Sequence, residues 1–261
     1  MKIAIVTGAS GGIGQATAQL LCQNGWRVYD FSRSGGEDSG QLCHIPCDVT
    51  QEVQVQQAFQ TVFEREGRLD LLVNNAGFGI SGAAEDTPLD KAKKQFDVNF
   101  FGCFVCCKAA IPYLRQTGGG RIINISSMAA VLSIPFQSFY SASKSAVNAL
   151  TLALQNEVKP FGITVCALMP GDVKTGFTAA REKSSASDSY KAVAQKSVST
   201  MERDEQNGMA PQTLAKAVLR LAKQKHPKPL STCGAQYRLF AVLQKVLPAR
   251  LVNALVGKIY T

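Results

Sequence analysis

"KIAIVTGASGGIG", residues 2–14, decides the reading of this chain. An apolar run ends at Thr7, glycines follow at Gly8, Gly12 and Gly14, and an apolar helical pattern extends from Ile13 to Cys22. Continuous rather than alternating apolar residues predict a strand covered on both faces. Glycine allows a tight strand-to-helix turn and lets backbone amides approach a pyrophosphate at the helix N-terminus. The spacing is Gly-x-x-x-Gly-x-Gly, not the Gly-x-Gly-x-x-Gly of many dinucleotide sites. Its place after the first strand of a βαβ pattern gives it weight.

Outward from this loop, strands and helices alternate. "WRVYDFS" predicts a second strand and "QLCHIPCDV" a third, with a helix over roughly 51 to 66. "LDLLVNNAG" is a fourth strand, and a long helix over about 89 to 115 is interrupted near "VNFFG". "GRIINISS", a helix from Tyr140 to Val158 and "ITVCALMPG" complete the series. Such alternation predicts an α/β fold with one doubly wound parallel sheet and helices on both faces. Residues 1–261 read as a single domain with two additions. Ser- and Lys-rich residues 176–210 would cover the crevice as a lid, and 239–261 form two short amphipathic helices separated at Pro248.

Composition narrows the partners. The net charge is +9, yet the cations form no long block and no nucleic-acid module, which favours an anionic cofactor or partner over nucleic acid. No apolar run of membrane-spanning length is evident, and glycines follow the start too closely for a signal peptide. Eight cysteines within apolar patterns fit a reducing, cytoplasmic setting. Cys43 and Cys47 would share one strand face while His44 points away, so no metal site is expected.

"TGASGGIG", "NNAG" at 74–77, Ser127, "YSASK" at 140–144 and "PGDVKT" at 170–175 together resemble the short-chain dehydrogenase/reductase family, in its order and spacing from residue 3 to about 225. The resemblance implies a single-domain Rossmann fold of about seven strands, the last around 229–235. It implies a dinucleotide held by Gly8, Ser10, Gly12, Ile13 and Gly14 of the loop and by Asn74, Asn75, Ala76 and Gly77. Asp48 and Val49 would contact adenine; Pro170, Gly171, Val173 and Thr175 would flank the nicotinamide. At the end of the second strand, Ser32 stands where an NAD-binding acid would, and Arg33 follows. A hydroxyl and a guanidinium suit a 2′-phosphate, so NADP(H) is expected. Asp30, two residues earlier, should point elsewhere, and Gly11 replaces the basic loop residue of many NADP-preferring relatives.

Tyr140 and Lys144 differ by one helical turn and can share a face. A nearby ammonium would lower the pKa of the phenol. The resemblance implies Ser127, rather than adjacent Ser126, as the hydroxyl that binds the substrate oxygen, and Asn99 as a fourth catalytic residue holding a break in the long helix. Lys144 would also hold the nicotinamide ribose. The expected chemistry is NADP-dependent carbonyl–alcohol interconversion without metal. "IPFQSFYSASKSAVNAL" and the C-terminal segment look most like the hydroxysteroid/retinol dehydrogenase branch, and Phe177, Met201 and Met209 would form an apolar pocket for a steroid or retinoid. The alternatives are a 3-oxoacyl-acyl-carrier-protein reductase and a non-catalytic dinucleotide-sensing regulator. The helices around Cys103–Cys107 and from Tyr140 resemble the family's pairing surfaces, which implies a homo-oligomer, dimer or tetramer.

Overall fold

The computed structural model describes residues 1–36, 38–184 and 186–261; Ser185, within the expected lid, lies outside the described residues. The chain begins with β1 (Lys2–Thr7), α1 (Gly12–Gln23), β2 (Trp26–Ser32), β3 (Leu42–Pro46) and α2 (Glu52–Glu66). β4 (Leu71–Asn74), the two-residue β5 (Ile80–Ser81), α3 (Leu89–Phe96), α4 (Gly102–Gln116) and β6 (Gly120–Ile125) follow. α5 (Ser138–Glu157) and β7 (Ile163–Met169) lead to α6 (Phe177–Ala180), β8 (Glu182–Lys183) and α7 (Lys191–Gln206). The chain closes through α8 (Pro211–Lys223), β9 (Leu230–Thr232), α9 (Ala235–Val246) and α10 (Ala249–Tyr260).

Seven strands form one parallel sheet in the order β3-β2-β1-β4-β6-β7-β9. Side-chain alternation explains why these strands are apolar throughout. Ile3 and Ile5 of β1 pack with Phe59 of α2, Cys106 of α4 and Val147 of α5 on one face. Ala4 and Val6 pack with Leu21 of α1 and Leu214 and Val218 of α8 on the other. All eight cysteines are free, and six are buried.

The sheet order reverses between β1 and β4, which opens a crevice beyond their C-terminal ends. The glycine loop leaves β1 there and "NNAG" leaves β4. The long helix is not broken at Asn99. A π-turn, Asp97–Phe101, joins α3 to α4 without a stop, widening the backbone where an interruption was expected. The Leu89–Gln116 segment is long and apolar enough to cross a membrane by length and composition, but here it packs on the sheet beside α2 and α5. In the expected lid, β8 pairs with β5, and α6 and α7 wall the crevice. Pro248 caps α10 and separates it from α9.

Candidate active site

The first helix is built to receive an anion. Gly11 caps α1 with no side-chain hydrogen bond, and its first turn carries no acid, so its amides remain available at the positive end of the helix. Gly8 and Gly12 have φ of +67° and +56°, a region that favours glycine. A Cβ at Gly14 would lie 2.3 Å from the Gly8 carbonyl oxygen. Gly14 therefore seats the helix against the loop and does not itself line the crevice. Asn75 braces the turn by donating to the carbonyls of Thr7 and Gly8 at 3.0 and 3.1 Å.

A single cavity of about 1260 Å³ runs from this loop into the space under α9 and α10. Ser10, Gly12, Ile13, Asp48, Val49, Ala76, Gly77, Pro170, Gly171, Val173 and Thr175 line it, as do Gly8, Asn75, Ser127, Tyr140 and Lys144. Asn74 does not. It is 5% exposed, and its amide donates to Asn124 Oδ1 at 2.9 Å, which makes it an interior brace of β4 and β6 rather than a cofactor contact. The cavity volume, free helix amides and glycine approach fit a dinucleotide.

At the end of β2 the hydroxyl of Ser32 is already committed. It donates to Asp30 Oδ2 at 2.8 Å, and Asp30 Oδ1 accepts from the Ala9 amide at 2.8 Å. Asp30 thus turns into the glycine loop, where His44 Nδ1 also lies 3.3 Å from its carboxylate. This leaves Arg33, exposed at the cavity and without an ion pair among the described residues, as the group able to meet a phosphate. A joint role for Ser32 is not supported by this geometry.

The reactive end is assembled from β6, α5 and the π-turn. Ser127 caps the short turn Met128–Ala130, its Oγ accepting from the Ala129 amide at 3.1 Å. Its hydroxyl interacts with that of Tyr140 and pulls the phenol pKa downward. The rival hydroxyl of Ser126 is spent on the Lys144 carbonyl at 3.1 Å. Tyr140 lies in the first turn of α5, its ring 5.7 Å from that of Phe177. Lys144 Nζ donates to the Ile125 carbonyl at 2.9 Å and sits 5.9 Å from the centre of the Tyr140 ring. Asn99, 1% exposed, lies behind the cavity wall. It exchanges hydrogen bonds with the Phe78 backbone at 3.0 Å and donates to Ser143 Oγ at 3.2 Å. Gly77 fits between, since a Cβ there would come 3.0 Å from Asn99 Oδ1 and 3.5 Å from Lys144 Nζ.

The electrostatics differ from the sequence expectation. Burial dominates at Tyr140 and pushes its pKa up to about 12, with Glu205 and Asp172 adding to the rise while Ser127 and Arg181 oppose it. The amine is not what sets this value. Burial also depresses Lys144, from 10.5 to about 8. At pH 7 the lysine is charged in both states, and the depression corresponds to about 3 kcal/mol of destabilisation. Between pH 8 and 10.5 the unfolded chain binds more protons at this site, so its cost fades as pH rises. Lys144→Met should therefore be more stable than the native chain at pH 7, by about 1–3 kcal/mol after loss of the Ile125 hydrogen bond. Urea titrations should show that gap narrowing toward pH 10; a gap independent of pH would contradict the strained ammonium.

Tyr237 and Asp172 escaped the sequence reading. Tyr237 of α9 lies against Gly171, where an added Cβ would come within 2.0 Å of its ring. Its hydroxyl donates to Asp172 Oδ2 at 2.6 Å and accepts from the Asp172 amide at 3.0 Å. This contact fixes the C-terminal helices to the "PGDVKT" loop across 65 positions of sequence. Within the lid, buried Arg181 pairs with Glu205.

The chain belongs to the short-chain dehydrogenase family, whose sequence pattern matches residues 2–186. It is 40% identical to the 3-ketodihydrosphingosine reductase of Bacteroides thetaiotaomicron over 97% of this chain and 95% of that protein. A short-chain dehydrogenase of Streptomyces avermitilis superposes with a TM-score of 0.86, at 29% identity over 98% of this chain and 96% of that one. A short chain dehydrogenase of Burkholderia cenocepacia in complex with NADP superposes with a TM-score of 0.78, at 25% identity over the full length of both chains. Complexes with NAD or NADH also occur among proteins of this fold. The protein is accordingly an oxidoreductase of that family with an NAD(P)-type site.

Proposed function

We propose that this enzyme uses NADPH to reduce a long-chain ketone bearing an amine beside the carbonyl, a substrate of the 3-ketodihydrosphingosine kind. The observation that carries this reading is the meeting of Ser127 and Tyr140 at the junction between the nucleotide half of the cavity and its apolar half. When bound, the reduced nicotinamide supplies a hydride. The protein's own groups do the rest. Ser127 and Tyr140 hydrogen-bond the ketone oxygen, and Tyr140 transfers its proton to the alkoxide that forms. Lys144 and Asn99 position the tyrosine and the ribose side of the cofactor. A phenol held near pKa 12 is fully protonated at neutral pH, which suits reduction better than oxidation.

The substrate class is supported from two sides. Leu243, Leu247, Val252 and Val256 wall the outer cavity and suit an alkyl tail. Asp172 lines the cavity and forms no ion pair among the described residues, so a substrate ammonium would be matched there, whereas Glu205 and Asp204 are already paired with Arg181 and Arg203. The similarity to the Bacteroides reductase also extends through α9 and α10. A steroid or retinoid would satisfy the apolar wall but leave Asp172 without a cation. Exposed Phe101 at the end of the π-turn, Phe104 on α4 and Leu152 on α5 support a homo-oligomer paired through these helices.

Turnover of 3-ketodihydrosphingosine, a ketosteroid, retinal and acetoacetyl thioesters should be followed by nicotinamide absorbance with both cofactors. The long-chain amino ketone with NADPH should give the highest kcat/KM, at least about tenfold above the same ketone lacking the amine. Equal rates for the amine-free ketone would reject the carboxylate match, and thioester preference would reject the substrate class.

A further inference from the structure

The net charge of this protein is confined to its last fifth. Residues 207–261 hold nine Lys and Arg and no Asp or Glu, whereas residues 1–206 hold 19 of each sign. Within this segment, α9 and α10 have two different apolar faces. Leu243 of α9, Leu247 just beyond its end, and Val252 and Val256 of α10 turn to the cavity. Leu239, Val242 and Val246 of α9, and Leu251, Leu255 and Ile259 of α10, form stripes at helical spacing that are 47–70% exposed. Arg238, Lys245, Arg250 and Lys258 each immediately precede a stripe residue, are exposed and form no ion pair among the described residues. Phe240, Leu255 and Ile259 are exposed and also line the cavity, so its mouth opens at the stripes.

We infer that the α9–α10 segment seats on the surface of an anionic phospholipid bilayer and draws the alkyl tail of its substrate into the cavity from the acyl layer. A short amphipathic helix with apolar residues on one side and cations at its flanks has the pattern of an interfacial helix. Each helix has 12 residues, too few to cross a hydrocarbon core, so each lies in the interface. Charge decides between a bilayer and a second copy of the chain. A two-fold contact through this face would oppose the same four cations to one another without an acid among them, whereas anionic headgroups neutralise them. The route taken by the tail rests on the substrate reading above; the membrane contact does not.

Flotation of the full chain with vesicles of phosphatidylcholine alone, or mixed with phosphatidylglycerol, tests the inference. The native chain should float with the mixed vesicles at ~0.1 M salt and largely detach at ~1 M, where screening shortens from about 10 Å to about 3 Å. Replacing all four cations by Gln should weaken binding by more than 100-fold, since each contributes roughly fivefold. Val242→Glu with Val246→Glu should abolish flotation yet keep native turnover of a short, water-soluble ketone, which reports an intact fold and site. Absence of flotation by the native chain, or equal flotation after cation removal, overturns the inference. So does a native dimer that the glutamate pair dissociates while vesicle binding persists. Flotation without turnover of the long-chain ketone would instead sink the substrate reading, and turnover of the detergent-dispersed ketone without flotation would sink the membrane contact alone.

Discussion

Tyr140→Phe should lower kcat by about 10²–10⁴-fold while leaving NADPH affinity nearly intact. The substitution removes one oxygen and one proton. The ring remains, along with its contact to Phe177 at 5.7 Å. On the proposed mechanism, what is lost is the proton donor and one of the two hydroxyls that bind the substrate oxygen. No nearby group substitutes. Ser127 is a much weaker acid, and its Oγ already accepts from the Ala129 amide. The Ser126 hydroxyl is turned onto the Lys144 carbonyl. Lys144 lies deeper, with its amine on the Ile125 carbonyl. Single-turnover reduction with NADPH separates chemistry from binding, and cofactor fluorescence gives the dissociation constant. A variant reducing at the native rate would remove Tyr140 from proton transfer. A variant that loses cofactor affinity in proportion to rate would make the tyrosine a binding group instead.

The reduction direction has a matching pH signature. Tyr140 near pKa 12 stays protonated across neutral pH, so the acid itself does not limit reduction there. The first group to change is Lys144, near 8. The kcat/KM for reduction should hold level below pH 8 and fall above it, as the amine loses the charge that orients the ribose and the phenol.

How much of this was legible in the sequence depends on the range of the contact. The alternating strands and helices and the doubly wound parallel sheet follow from local features: apolar runs, a glycine turn and regular helix spacing. Tyr140 and Lys144 were paired by a short spacing along one helix, and Ser127 was assigned by the family resemblance. Asn74 was misassigned because its neighbour Asn75 does face the cavity, and strand alternation sends consecutive side chains to opposite sides. The committed hydroxyl of Ser32 was hidden because the Asp30 rotamer and the Ala9 amide that fix it come from different elements. The value of the Tyr140 pKa was missed for a similar reason: neighbour charge is readable from an i, i+4 pair, but burial under Phe177 and the lid is not. The anchoring of α9 through Tyr237 joins residues far apart in the chain, and no local pattern announces it.

Arg33→Asp should shift the NADPH-to-NADH ratio of kcat/KM by about 10³-fold toward NADH. A charge-assisted hydrogen bond to phosphate is worth about 1.5–3 kcal/mol, and an aspartate in its place repels the phosphate while accepting from a ribose hydroxyl. About 4 kcal/mol in total gives the stated ratio. Salt supplies an independent check, because screening should raise the native KM for NADPH but hardly alter that for NADH. Ser32→Ala separates the two residues. Its hydroxyl is held by Asp30 at 2.8 Å in a site 6% exposed, so its removal should cost about 1 kcal/mol of stability and leave the cofactor ratio almost unchanged. If Ser32→Ala moved the ratio as far as Arg33→Asp, the hydroxyl would have to leave Asp30 and turn to the phosphate, against the geometry of the glycine loop. If neither substitution moved it, discrimination would lie outside β2 altogether.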